Sequence, residues 1–258
     1  MSPSNTGPGS SGNRADLSDS ADPGVDGLGA DGLAVDGLDV DSGRPLSEAL
    51  IAEVGALCDR VEAGTAANPA VVLRLTGGPA TPRQWPGGTG VHLVNKWERA
   101  LRRLERLSAV TIAVADGRCT GPALEVLLSC DYRIGTPALR LALGTTGGEP
   151  WPGMALHRLA NQLGVARARR LVLFGAEADA AEAARLGLVD EIADDAMGAA
   201  AARTTLARGL STAELAVRRR LLFDATTTSF EDALGTHLAA CDRTLRRGRD
   251  HAEPAAAS

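Results

Sequence analysis

The chain is poor in aromatic residues, in lysine and in grouped cysteines, and each shortage excludes a class of function. Aromatics make up 3% of its 258 residues, with three Trp, three Phe and one Tyr, and Lys96 is the only lysine. The net charge is -5. No basic patch is interleaved with aromatics, so no nucleic-acid partner is expected. The four cysteines, Cys58, Cys119, Cys130 and Cys241, are scattered without metal-ligand spacing. They read as reduced core thiols, and no metal is expected. No apolar run approaches the roughly 18 residues that cross a bilayer. The N-terminus lacks the charged-then-apolar pattern of a secretory leader. The expectation is a cytoplasmic protein with no membrane segment.

What is present is a chain 44% hydrophobic, enough for one α/β domain with a sizeable core and a tail. Residues 1–32 are Gly, Ser, Asp and Pro with few apolar groups, and read as a disordered tail. Within and just after them Asp-Gly-Leu recurs at Asp26, Asp31 and Asp36, without the nonapeptide pattern of calcium-binding repeats. Residues 33–193 read as the core and 194–258 as a C-terminal helical region. Leu33–Val40 is predicted as the first strand. Ser47 is placed as a helix N-cap, with Leu46 and Ile51 as a hydrophobic staple. Leu50, Val54, Leu57, Cys58 and Val61 recur at helical spacing, and Gly64 ends that helix.

Ala70–Leu75 is predicted as a buried strand, followed by a Gly- and Pro-rich loop, Thr76–Gly90. Val91, Val94, Trp97, Leu101, Leu104 and Leu107 mark a helix. Val110–Ala115 reads as a buried strand that Asp116-Gly117 breaks, and Ala123–Cys130 as a buried helix. Short strands are expected at Tyr132–Ile134 and Leu139–Leu143, then a second glycine-rich loop, Gly144–Pro152. Pro152 opens a helix with Leu156, Leu159 and Leu163 inward. Ala168–Phe174 is helical with Gly175 as its cap. Asp179 caps a further helix, and Leu188–Ile192 is the last strand. Thr212–Leu222 and Phe230–Arg246 are helical. Strands alternating with helices imply parallel strands.

The chain is organised around residues 116–131. A strand, a glycine turn and the start of an apolar helix are followed one turn later by Glu125. A carboxylate there is costly unless it is paired, hydrogen-bonded or used. Such a place can stabilise an anion and move a proton. Glu125 is a candidate general acid/base. The alternative is a structural carboxylate paired with an arginine such as Arg118.

This stretch resembles the crotonase (enoyl-CoA hydratase/isomerase) superfamily, whose segment reads V-N-G-x-A-x-G-G-G-x-E-L-x-x-x-C-D. Gly117, Gly121, Glu125, Cys130 and Asp131 fall in matching places. Gly175 and residues 183–190 resemble the family's later T-G-x-x-x-x-A-x-x-A-x-x-x-G-L-V run. The resemblance implies an α/β fold, a repeated ββα spiral with a C-terminal helical trimerisation region. It also implies a homo-oligomer, a trimer or a dimer of trimers. The implied substrate is an acyl-CoA thioester, with no further cofactor. Two backbone N–H groups would hold the thioester oxygen. One falls at Thr89, give or take a residue, with Gly88 beside it in the substrate-binding turn; the alternative is a merely flexible loop. The other falls at Pro122, which has no N–H, so Ala123 or Gly121 would have to substitute.

Hydratases of the family use two glutamates. Glu125 matches the first, and Thr145 stands where the second would be; Glu149 lies four residues on. A single carboxylate suits one proton shuttle, or dehydration of an activated thioester, better than hydration of a simple alkene. Trp85 and Trp151, both in glycine- and proline-rich loops, are candidates to line an aromatic acyl pocket; the alternative is plain packing. His157 is a weaker catalytic candidate. The arginines of residues 99–106 face either solvent or the CoA phosphates.

Within the superfamily, residues 121–125, 97–107 and 151–156 are most similar to DpgB-type proteins of dihydroxyphenylglycine biosynthesis. That likeness implies an accessory dehydratase-like enzyme that helps a type III polyketide synthase, alongside related crotonase-like proteins, form 3,5-dihydroxyphenylacetyl-CoA. A non-catalytic partner of that synthase and a general enoyl-CoA hydratase remain open as alternatives.

Overall fold

The computed structural model describes residues 37–64 and 70–252. The expected tail, residues 1–32, and the first four residues of the expected strand 33–40 lie outside the described residues. Strand β1 (Gly37–Asp41) leads into helix α1 (Glu48–Glu62). The cap is as expected, with Ser47 Oγ accepting from the Leu50 N–H at 3.2 Å. Strand β2 (Ala70–Gly77), helix α2 (Val91–Leu104), strand β3 (Val110–Cys119), helix α3 (Gly121–Leu127) and strand β4 (Tyr132–Gly135) follow.

Two short strands, β5 (Arg140–Leu141) and β6 (Thr145–Thr146), precede β7 (Glu149–Pro150), helix α4 (Met154–Leu163) and helix α5 (Val165–Phe174). Then come β8 (Ala178–Asp179), α6 (Ala180–Leu186), β9 (Glu191–Ile192), α7 (Ala196–Ala207), α8 (Thr212–Asp224) and α9 (Phe230–Ala252).

Strands β1, β2, β3, β4 and β9 pair side by side in that order, all parallel. Both faces of β2 are covered, so its sequence reads as one apolar run rather than an alternation. Val71, Leu73 and Leu75 face the main core with α1, α2 and α3. Ala70 and Val72 face a smaller cluster with Ile112, Val114, Ile134 and residues Ala196, Ala200 and Ala207 of α7. The period of two along the strand produces this division.

Four expectations about local structure are corrected. β3 does not break at Asp116-Gly117 but runs on to Cys119. Gly117, at φ 66°, lies opposite Gly77 in the β2–β3 register, and a Cβ on it would meet the Gly77 carbonyl oxygen at 2.2 Å. The glycine therefore redirects the strand instead of ending it: Arg118 and Cys119 pair with Arg140 and Leu141 of β5. The loop Gly144–Pro152 contains a small hairpin, β6–β7. The last strand is only Glu191–Ile192, because the N–H groups of Leu188 and Val189 bond the Ala183 carbonyl of α6 instead of a neighbouring strand. Cys241 is not a core thiol; it is exposed on α9, while Cys58, Cys119 and Cys130 are buried and all four are free.

The C-terminal segments are tied to the sheet by Arg219 of α8. Its guanidinium pairs with Asp131 at 2.5 Å and donates to the carbonyl oxygens of Leu107 and Ala109. No helix among the described residues is long and apolar enough to cross a membrane.

Candidate active site

Helix α3 is buried along its whole length, and Glu125 is 2% exposed within it. Its carboxylate is not paired with Arg118, as the structural alternative had it; Arg118 lies 3.3 Å from Glu177. Two indoles hold it instead. Trp85 Nε1 donates to Oε1 at 3.1 Å, and Trp97 Nε1 donates to Oε2 at 2.6 Å. The two rings meet edge to face, with centroids 5.9 Å apart.

Burial pushes the Glu125 carboxyl up to about 7. The indole of Trp97 works against that shift, nearby Glu98 adds to it, and Arg158 and Trp85 oppose it. Arg158 is itself buried in an ion cluster, 2.6 Å from Glu105 and 2.9 Å from Glu98.

The loop between β2 and α2 delivers Trp85. Its backbone is strapped to the β6 hairpin. Trp85 N–H donates to the Thr145 carbonyl at 2.9 Å, Thr145 N–H donates to the Arg83 carbonyl at 2.5 Å, and the Thr146 hydroxyl donates to the Trp85 carbonyl at 2.5 Å. The indole fills the space beside Gly121 and Gly144. A Cβ on Gly144 would lie 2.6 Å from Trp85 Cβ, and one on Gly121 would lie 3.4 Å from it. On the other side of the carboxylate, a Cβ on Gly153 would meet Trp151 Nε1 at 2.3 Å and Glu125 Oε1 at 3.3 Å. Glu125, Trp85, Trp97, Trp151, Gly121, Gly144 and Gly153 thus gather at one place.

The remaining sequence candidates have these surroundings. The Thr145 hydroxyl donates to the Arg83 carbonyl at 3.4 Å, and Glu149 is exposed. Thr89 N–H donates to the Gly87 carbonyl at 2.9 Å, and Gly88 is exposed. Ala123 N–H donates to the Thr120 carbonyl at 3.2 Å. His157 is exposed, 2.9 Å from the Asn161 amide. Of the arginines on α2, Arg103 pairs with Asp59 and Glu62, and Arg102 with Glu105.

Trp97 is the neighbour of Glu125 that sequence reading missed. It sits on the apolar stripe of α2 and reads as packing. The available signal was its N–H, which must find an acceptor when the ring is buried. The acceptor comes from α3, 28 residues on.

The chain belongs to the enoyl-CoA hydratase/isomerase family, whose sequence profile matches residues 91–253. A protein described as an enoyl-CoA-hydratase, from Amycolatopsis orientalis, is 50% identical over 207 residues, 80% of this chain and 94% of that one. The fatty acid oxidation complex subunit alpha of Idiomarina loihiensis is 27% identical, over 59% of this chain and 23% of its own. Among solved structures, an enoyl-CoA hydratase from Mycobacterium smegmatis superposes with a TM-score of 0.69 at 19% identity, over 81% of this chain and 87% of the other. One from Thermobifida fusca in complex with acetoacetyl-CoA gives 0.62 at 21%, over 81% and 92%. These structures support the crotonase fold, with its parallel sheet and C-terminal helices.

Proposed function

We propose that the protein is a dehydratase-like member of its family acting on a CoA-bound polyketide intermediate, in support of a type III polyketide synthase that forms 3,5-dihydroxyphenylacetyl-CoA. The observation that carries this is the Glu125 carboxylate, buried in an apolar helix and held by two indoles rather than by an arginine. Glu125 stands in a dry setting with its proton affinity near neutrality, where it can either give or take a proton. No second carboxylate stands at position 145, where two-glutamate hydratases have one. One carboxyl group can take a proton from an activated carbon and return it to a leaving hydroxyl. The half-buried Trp151 gives the neighbourhood a flat aromatic face suited to a ring-forming acyl group, whereas Trp85, expected beside it, is fully buried and holds Glu125 instead. Thr89 and Ala123, with Gly88 and Gly121 beside them, are the proposed oxyanion and substrate contacts.

A homo-oligomer formed through the C-terminal helices is part of the same reading. Phe230, Leu234, Leu238 and Leu245 are exposed on α9, and an apolar series of that kind is suited to a partner surface.

One observation favours the non-catalytic reading. Pro122 has no N–H to give, and the N–H groups of Thr89 and Ala123 are engaged in local turns. A loss of one oxyanion donor typically costs about 100- to 1000-fold in rate. The test is product formation by the synthase with this protein added, wild type against Glu125→Gln. Stimulation by wild type alone, with both proteins folded, supports proton chemistry at Glu125. Equal stimulation by both makes the protein a binding partner.

A further inference from the structure

All three tryptophans of a chain that has so few aromatics surround one carboxylate. An indole N–H donates and cannot accept. Two such donors therefore satisfy the ionised form of Glu125. The protonated form brings an O–H of its own, for which neither indole offers an acceptor. A proton arriving at either oxygen must loosen the indole bond on that side.

The two sides are unequal. Oε2 is held at 2.6 Å by Trp97, which is 1% exposed and fixed in the core on α2. Oε1 is held at 3.1 Å by Trp85, which is as deeply buried, at 2%, but stands on a loop rather than on a helix. Oε1 is also the oxygen beside the half-buried Gly153 and Trp151, whereas Oε2 faces the fully buried Trp97.

We propose that the two oxygens of Glu125 have separate tasks: Trp97 anchors Oε2 and fixes the orientation of the carboxyl, while Oε1 carries the proton and Trp85 is the donor that yields to it. Trp97 and Trp85 are then positioning residues. The inference rests on the reading of Glu125 as the proton carrier. The charged groups that act on the carboxyl are Glu98 of α2, which raises its proton affinity, and Arg158 of α4, which lowers it. Arg158 is neutralised by Glu98 and Glu105, and replacement of either indole leaves that cluster in place.

The test reads the Glu125 carboxyl directly, without substrate. Its titration is followed by infrared or carbon NMR signals of labelled glutamate, assigned by their loss in Glu125→Gln. Trp97→Phe and Trp85→Phe each remove one donor. Benzothienylalanine at position 97 keeps the volume of the indole and lacks only the N–H, which covers the case in which Trp97→Phe fails to fold. The expected result is an upward move of the midpoint from about 7 in every variant, because each indole favours the anion. Loss of the Trp97 donor moves it by about one pH unit, and loss of the Trp85 donor moves it less. Turnover with the synthase is expected to fall further at position 97 than at 85, in kcat more than in KM. An unmoved midpoint in folded variants overturns the clamp. Equal moves at both positions overturn the division of tasks. Moves as expected, together with full activity of Glu125→Gln, overturn the proton-carrier reading and leave only a structural clamp.

Discussion

Replacing Glu125 by Gln should change how stability depends on pH, in a direction fixed by its burial. The unfolded chain titrates this carboxyl near 4.5, and the folded protein near 7. Between those values the native state holds a proton that the unfolded state has released. Stability must therefore fall as pH rises through this window. The contribution is complete below about pH 4.5 and lost above about pH 7. A displacement of that size corresponds to about 3 kcal/mol. Gln does not titrate and removes this dependence. It also offers one acceptor to two indole donors, a cost of about 1–3 kcal/mol that does not vary with pH.

The difference in unfolding free energy between variant and wild type should therefore move by about 3 kcal/mol in favour of the variant between pH 4.5 and 8. Other titrating groups are common to both proteins and cancel. Urea unfolding followed by tryptophan fluorescence at a series of pH values measures it, and two of the reporting indoles touch residue 125. A difference that stays level across the window would refute the argument, because it would mean that burial does not hold the proton on Glu125.

Gly153→Ala should leave the fold intact and lower activity at least about tenfold, since the added carbon would stand 2.3 Å from Trp151 Nε1 and 3.3 Å from Glu125 Oε1 and must displace one of them; steady-state rates with the synthase, alongside circular dichroism, check it. Arg219→Ala should cost about 3 kcal/mol and speed amide exchange along α8, because Asp131 and the carbonyls of Leu107 and Ala109 lose a shared donor; Arg219→Lys should rescue it only in part, for lack of the planar fork.

The clamp on Glu125 also explains an odd feature of the composition. A chain with 3% aromatics has little indole to spend on its core, yet Trp85 and Trp97 are among its largest fully buried side chains. Ordinary core packing is met by leucine and valine throughout β2, α1 and α2. The indoles are placed where a buried carboxylate requires N–H donors. Thr145 fits the same picture: with no carboxylate to offer, it serves through its backbone, holding the loop that carries Trp85.

Local chemistry decided much of this protein in the sequence itself. The apolar runs of β2 and β3, the Ser47 and Asp179 caps, the Gly175 stop and the lone acid in an apolar helix all follow from near neighbours, because caps, turns and periodicity involve residues within a few positions of one another. The family also lay in a contiguous stretch, from Gly117 to Asp131.

What pairs with Glu125 did not. Trp85 and Trp97 reach it from 40 and 28 residues away, and an arginine at Arg118 was the nearer partner by position. The course of β3 past Gly117 was equally hidden, since the reason lies in Gly77 on the neighbouring strand. Sequence spacing carries the tendency of a segment to be a strand or a helix. Which donor meets a buried acceptor depends on how those segments stack, and only the tertiary structure sets that.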